Sequence, residues 1–197
     1  MMEPMDDEAS KPLIRGEKVW LRGFAESDLE PYERFVNSKD ALWAGYSTPI
    51  PDTTIRNWYE NNVSEHGKGA YYFVVSPLGS HDFLGTTWVW NQGSRIGGAE
   101  YSIYMAESWR WGTGLGTDAG RATTDFVFGF TVIERLWLAT DEENLRAQRS
   151  FEKVGFEREG LIRHYALARG EPVNAVLMSM LREDWKKLDR PRSWDYD

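Results

Sequence analysis

The sequence predicts an α/β domain built on one mixed sheet, with helices set among mostly antiparallel strands. Three observations carry this. Runs with strand alternation and runs with helical spacing follow one another in the order β-α-α-β-β-β-α-β-α-β-β. Two pairs of strands flank short turn sequences, SPLGSHD at 76–82 and ARGEP at 168–172, and so read as antiparallel hairpins. A glycine-rich stretch, Trp111 to Ala119 (WGTGLGTDA), lies between a strand and a helix, where one parallel crossing falls.

Val19, Trp20, Leu21 and Arg22 form a short first strand. Ser27 is the expected N-cap of the first helix, with Glu30 three residues later as a capping box and Leu29, Tyr32 and Phe35 at helical spacing. A second helix starts at Thr53 or Thr54 and carries Ile55, Trp58 and Tyr59. Tyr71–Ser76 and Phe83–Asn91 form the first hairpin, and Ala99–Met105 follows the turn NQGSRIGG. Next come a helix over Gly116–Phe130, a strand over Arg135–Thr140, and a helix over Asn144–Val154 that stops at Gly155. Gly160–Ala168 and Pro172–Met180 make the second hairpin. Residues 1–12 are expected to be a disordered acidic lead, 13–186 one domain, and 187–197 a loose C-terminal tail.

The composition narrows the function. The chain has 197 residues, 41% hydrophobic and 27% charged, which is ordinary for one globular domain. It has no cysteine, which excludes disulfides, thiolate metal sites and a cysteine nucleophile. The formal charge of −8 disfavours nucleic acid and anionic membrane as partners. No apolar run approaches the roughly 20 residues of a membrane span. The acidic start reads as no signal peptide, so a cytoplasmic protein is expected. His66, His81 and His164 are not spaced as a metal set, and no metal is expected.

The loop Trp111-Gly112-Thr113-Gly114-Leu115-Gly116-Thr117 offers unblocked backbone N–H groups beside a helix N-terminus. Both features favour an anion, above all phosphate or pyrophosphate. Gly114, Gly116 and Ala119, with Asp141 about 20 residues on, also match a dinucleotide fingerprint. Against that reading, the motif follows some 100 residues of mixed strands and helices, and a hairpin comes after it rather than a parallel series.

Two motifs together resemble the GNAT superfamily of acyl-coenzyme A transferases. WGTGLGTDA is similar to that family's coenzyme loop, and NLRAQRSFEKVGF, Asn144 to Phe156, is similar to its later signature. Trp111-Gly112, AEYSIYM (99–105) and VNAVLMSML (173–181) resemble the RimJ/RimL-like branch. The resemblance implies a V-shaped sheet whose two central strands, 99–105 and 135–140, splay apart. It implies acetyl-CoA as co-substrate, its pyrophosphate on the loop from Trp111 to Thr117. The pantetheine arm would run along the main chain of Ile103, Tyr104 and Met105, with Asn144 and Phe151 nearby. It implies transfer to a small-molecule amine or a peptide N-terminus, and a possible homodimer. The sequence departs from the family at two places. Trp111 stands where a Gln or Arg is usual, with Arg110 as a substitute cation. Phe151 and Ala147 occupy the usual positions of the proton-donating tyrosine and serine.

The remaining chemistry falls to other residues. Glu100 is the expected general base, and Ser150 and Tyr165 are the candidate acids. A backbone N–H of Tyr104 or Met105 would polarise the thioester carbonyl. Trp43, Tyr46, Trp88 and Trp90 are expected in the wall of the acceptor cleft, beside Trp58. The sequence predicts an acetyl-CoA-dependent N-acetyltransferase working by direct transfer in a ternary complex. A catalytically silent acyl-CoA sensor and a dinucleotide-binding protein are the alternatives.

Overall fold

The computed structural model describes residues 14–39, 41, 50–63, 66–91, 98–168 and 170–196. The described residues form seven strands and five helices of six residues or more. In chain order these are β1 (Val19–Arg22), α1 (Leu29–Val36), α2 (Asp52–Asn62), β2 (Ala70–Pro77), β3 (Gly85–Trp90), β4 (Ala99–Met105), α3 (Leu115–Phe130), β5 (Arg135–Asp141), α4 (Leu145–Val154), β6 (Glu157–Ala168), β7 (Glu171–Leu181) and α5 (Arg182–Lys187). One sheet holds every strand, in the order β1-β2-β3-β4-β5-β7-β6. All neighbours are antiparallel except β4 and β5. This is the element order the sequence predicts, with α5 added. A doubly wound dinucleotide fold, which needs a parallel series, is not what the chain builds.

Alternation assigns the two faces. Tyr101, Leu136, Leu138, Met178 and Met180 turn toward α3 and α4 and pack with Val127, Phe128, Val154 and Phe156. The buried leucines each contribute about 1.5–3 kcal/mol by leaving water. Val19, Leu21, Phe73 and Val75 extend that layer beneath Ala119 and Ala122, small residues that let α3 approach the sheet. On the opposite face, α1 and α2 bring Tyr32, Phe35, Val36 and Ile55 against Tyr104 and Phe83.

Two terminal details differ from expectation. Ser27 does not cap α1. A 3-10 turn over Glu26–Asp28 precedes the helix, and Asp28 stands at the N-cap position of α1 without a side-chain bond to the helix. Its carboxylate accepts the N–H of Ala25 at 2.8 Å and holds Arg22 at 2.7 Å through both oxygens. The segment expected as a loose tail is packed. α5 places Trp185 against Phe128, Arg192 lies over the Trp185 ring at 4.4 Å, and Trp194 meets Phe130 edge-on. Arg182 caps α3 by donating to the carbonyls of Phe128, Thr131 and Ile133. The expected disordered lead, 1–12, lies outside the described residues.

Candidate active site

β4 and β5 pair at two positions only, Ala99 with Leu136 and Glu100 with Trp137, and then part. The gap that opens between them is the splay the resemblance implied. Asn91 donates to the Gly69 carbonyl at 2.6 Å, and Ala106 donates to that of Leu84 at 2.9 Å. Antiparallel alternation then turns the main-chain groups of Glu100, Ser102 and Tyr104 toward β3, and those of Tyr101, Ile103 and Met105 into the gap. Trp111 Nε1 donates to the Met105 carbonyl at 3.1 Å. An extended ligand can complete the rest of this edge as an added strand. Tyr104 therefore departs from expectation. Its main chain faces β3, and its ring stacks on Trp88 at 5.1 Å on the other face.

The glycine loop closes one end of the gap. Gly112 and Gly114 adopt φ of +82° and +89°, and Gly114 is the N-cap of α3. Such angles cost a residue with a side chain about 1–2 kcal/mol, so the loop needs glycine at both positions. A Cβ on Gly116 would stand 3.5 Å from the Met105 side chain, which places the loop against the end of β4. Thr113 Oγ1 donates to the Arg110 carbonyl at 2.6 Å. The helix start at Leu115 then presents orphan N–H groups, which suit an anion.

The cations around this loop are not the one expected. Arg110 Nε is held 2.5 Å from Glu107. Lys18, at the start of β1, donates its Nζ to the Thr113 carbonyl at 2.9 Å, and Arg146 lies over the Trp111 ring at 4.1 Å. Both bring positive charge to the place where phosphate is expected. Lys18 is 95 residues from Thr113 in sequence, and no local pattern announces that contact. Asp118, in the first turn of α3, would oppose an anion were its charge free. Its carboxylate instead accepts the N–H groups of Glu17, Lys18 and Val19 at 2.8–3.0 Å, which spreads its charge onto β1.

On α4, Asn144 is the N-cap: its Oδ1 accepts from Ala147 N at 3.1 Å, leaving the amide Nδ2 as the group able to reach a ligand. Ser150 Oγ lies 2.7 Å from Thr117 Oγ1, a bond that ties α4 to the start of α3. Phe151 packs edge-on to Tyr101 and Phe156, so this ring joins the core at the position where the resemblance implied a hydroxyl.

Glu100 sits where the two central strands divide, half-buried, and burial alone raises its carboxyl above the ordinary value. Among the described residues it has no hydrogen-bond donor and no cation. Tyr104, on the same face of β4, is pushed up to about 12 by burial and then by the charges of Glu100 and Tyr165. Tyr165 is raised by burial and then by Glu100. The three groups thus share one electrostatic neighbourhood. Tyr165 reaches it from β6 beside an irregularity: between Ile162 and Ala166 the strand carries two extra residues relative to β7, with His164 at φ +52°. His164 donates its N–H to Asn174 Oδ1, and Asn174 Nδ2 donates to Glu142, which ties this bend to the turn after β5.

Directly across from Glu100 is Trp90. Trp90 and Trp88 line a cavity of about 280 Å³ between the sheet and the two N-terminal helices, with Tyr32, Val36, Ile55, Trp58 and Tyr72. The structure brings two of the four expected cleft aromatics together, and Trp43 and Tyr46 lie outside the described residues. Among the described residues no group of three acidic or histidine side chains could hold a metal ion, and no helix is long and apolar enough to cross a membrane.

The comparisons with known proteins agree with this geometry. A family model described as an acetyltransferase (GNAT) domain matches residues 18–157. The chain is similar to the spermidine N(1)-acetyltransferase of Escherichia coli strain K12, 28% identical over 170 residues that cover 85% of this chain and 88% of that protein. It is 26% identical over 156 residues to an aminoglycoside N(6')-acetyltransferase type 1 of Klebsiella pneumoniae, covering 74% and 77%. In fold it is similar to the Vibrio cholerae spermidine N-acetyltransferase solved with CoA and spermine, with a TM-score of 0.75 over 86% of this chain and 98% of that one, at 18% identity.

Proposed function

The chain belongs to the GNAT acetyltransferase family and is an acetyl-CoA-dependent N-acetyltransferase, and on that premise we propose that it acetylates a primary amine by direct transfer, with Glu100 as the general base. The observation that carries this reading is the placement of Glu100. It is a half-buried carboxylate, without a side-chain partner among the described residues, at the point where the open edge of β4 meets the aromatic cavity. Acetyl-CoA would enter from the gap side, held by the loop from Trp111 to Thr117 with Lys18 and Arg146, and by the main chain of Ile103 and Met105. The acceptor would enter from the cavity side. The two meet at Glu100.

The steps balance as follows. Glu100 takes a proton from the acceptor ammonium. The neutral nitrogen attacks the thioester carbonyl, the C–N bond forms, and the C–S bond breaks. The coenzyme leaves as a thiolate and takes a proton from a nearby hydroxyl. Tyr165, which lies in the field of Glu100 and is kept protonated by its surroundings, is the donor this geometry favours; Ser150 is the alternative. Because the thiolate is a fair leaving group, much of the rate comes from holding the two reactants together, with effective molarities that reach about 10⁵ M or more.

Calorimetric titration with acetyl-CoA, with NADPH as control, followed by thiol release across a panel of amines, tests the reading. Micromolar acetyl-CoA binding with thiol release supports it. Binding without release from any amine would make the chain an acyl-CoA-binding module instead.

A further inference from the structure

We infer that the side chain of Trp111 is a positioning residue for the coenzyme: its ring holds the Arg146 guanidinium over the glycine loop, so that α4 supplies an arginine to the phosphates. This rests on the proposed placement of acetyl-CoA on that loop and deepens it, because it gives Trp111 a role that acts through another residue.

Trp111 bridges the two sides of the splayed sheet. Its Nε1 donates to the carbonyl of Met105, the last residue of β4, at 3.1 Å. Its face receives Arg146, from the first turn of α4, at 4.1 Å. An indole N–H lies in the ring plane, so the edge bond and the face contact are made together. The bond to β4 sets where the ring stands, and the ring sets where the guanidinium stands. Gly112 and Gly114, with their positive φ angles, follow directly in the chain.

The kind of contact matters as much as its place. A guanidinium over a ring uses its face, and its N–H donors lie in its own plane, where they can take two phosphate oxygens at once. Tryptophan attracts a cation more strongly than the other aromatic rings. Arg146 is exposed, and a long exposed side chain otherwise samples many rotamers. The ring favours one of them before any ligand arrives, which removes part of the ordering cost of binding.

The other cations at the loop are held differently. Lys18 gives a donor to the Thr113 carbonyl, and Arg110 is paired with the carboxylate of Glu107. A carboxylate partner offsets the charge it holds. A ring fixes the place of Arg146 and leaves its charge whole.

Calorimetric titration with acetyl-CoA tests this on the wild type, Arg146→Ala, Trp111→Leu, Trp111→Phe and the double variant Trp111→Leu/Arg146→Ala. Arg146→Ala should raise the dissociation constant about tenfold, and Trp111→Leu, which fills space without a π face, about fivefold. The double variant should bind within about twofold of Arg146→Ala, because Trp111 acts through Arg146. Trp111→Phe keeps a ring and loses Nε1, and should stay within about threefold of the wild type. Raising salt from about 50 to about 500 mM should shrink the gap between the wild type and Trp111→Leu, since a lost charge contact is screened and a lost shape is not. Where Trp111→Leu does not fold, Trp111→Met takes its place.

Losses that add in the double variant, a Phe variant as weak as the Leu one, or Arg146→Ala binding like the wild type overturns the inference. Every arm reads binding, so turnover is judged separately. If the cycle behaves as expected and no amine releases thiol, the transfer reading fails and this inference stands. If thiol is released and the variants bind alike, the transfer reading stands and this inference falls.

Discussion

Two regions of this molecule bury carboxylates, and they treat them in opposite ways. On the helical side of the sheet, α3 carries Asp118 and Asp125, both surrounded by donors. Asp125 is 2% exposed in its side chain, grips Arg190 through both oxygens at 2.8 and 2.9 Å, and accepts from Trp185 Nε1 at 2.8 Å and Ser193 N at 2.9 Å. On the cleft side, Glu100 is half-buried with no such donor among the described residues, and burial raises its carboxyl. Saturated carboxylates are fixed and inert. A desolvated carboxylate without a partner keeps its affinity for a proton, which a base requires. The contrast separates acids that hold this fold from the acid that the proposed transfer would use.

The sharpest way to break the contrast is to remove a saturated acid. Asp125→Ala strands the mostly buried Arg190 and is expected to destabilise the protein by about 3–5 kcal/mol. Thermal unfolding reads the loss, and the acetyl-CoA affinity of the remaining folded protein should be unchanged. If the midpoint barely moves, the buried network is not what holds the C-terminal segment.

Glu100→Gln should do the reverse. We expect kcat/KM near neutral pH to fall about a hundredfold, equivalent to ~2.7 kcal/mol, with the unfolding midpoint retained. A base must be ionised, so the wild-type rate should fall as pH drops through the raised pKa of Glu100, above the ordinary carboxylate range. The variant should lack that limb and approach the wild type at high pH, where the amine is already neutral. An unchanged profile would assign the base elsewhere.

Gly114→Val forces a β-branched residue to φ +89° and brings its Cβ to 3.2 Å from Lys18 Nζ. About 1–2 kcal/mol of strain follows, and the acetyl-CoA dissociation constant should rise at least tenfold while Glu100 keeps its surroundings. The smallest effect belongs to a third kind of acid. Glu159 is held down to about 2 by its pairing with Arg135 and a bond from Ser179. Its folded value lies below its unfolded one, so its contribution is complete above the ordinary glutamate range and is lost as pH falls toward 2. Because its side chain is 35% exposed, Glu159→Gln should change neutral stability by under about 1 kcal/mol. A denaturant midpoint series from pH 6 to 3 would show the variant with the flatter acid side.

What the sequence made legible was local. Strand alternation, helical spacing and turn chemistry are short-range signals, and they yielded the element order from Val19 to Met180. The glycine loop was visible because its conformation demands a residue type. Glu100 and Tyr165 stood out as chemical types on strands, but their shared neighbourhood depends on a bend in β6 that no period encodes. The helix at Arg182–Lys187 is six residues, too short to show a periodic stripe, and contacts of Arg182 and Trp185 with α3 hold it in place. The same contacts explain why the end of the chain reads as a tail and packs as a brace. Ser27 falls inside the 3-10 turn before α1, and Asp28 at the N-cap position spends its carboxylate on Arg22 of β1 and the N–H of Ala25, contacts that no helical spacing encodes.

The clamp between Asp118 and the chain leading into β1, Glu17 to Val19, has a consequence for how the molecule comes together. The start of α3, directly after the glycine loop, is held by contacts about 100 residues apart in sequence, between Glu17, Lys18 and Val19 on one side and Asp118 on the other. Contacts of such separation carry a large loop-closure cost and are slow to form. Completing the loop therefore requires the first strand to reach the start of α3 and carries that closure cost. A coenzyme that recognises only the finished loop pulls the chain toward its native state by mass action. Acetyl-CoA would then act as a folding ligand as well as a reactant, and the protein's lifetime would follow the supply of its co-substrate.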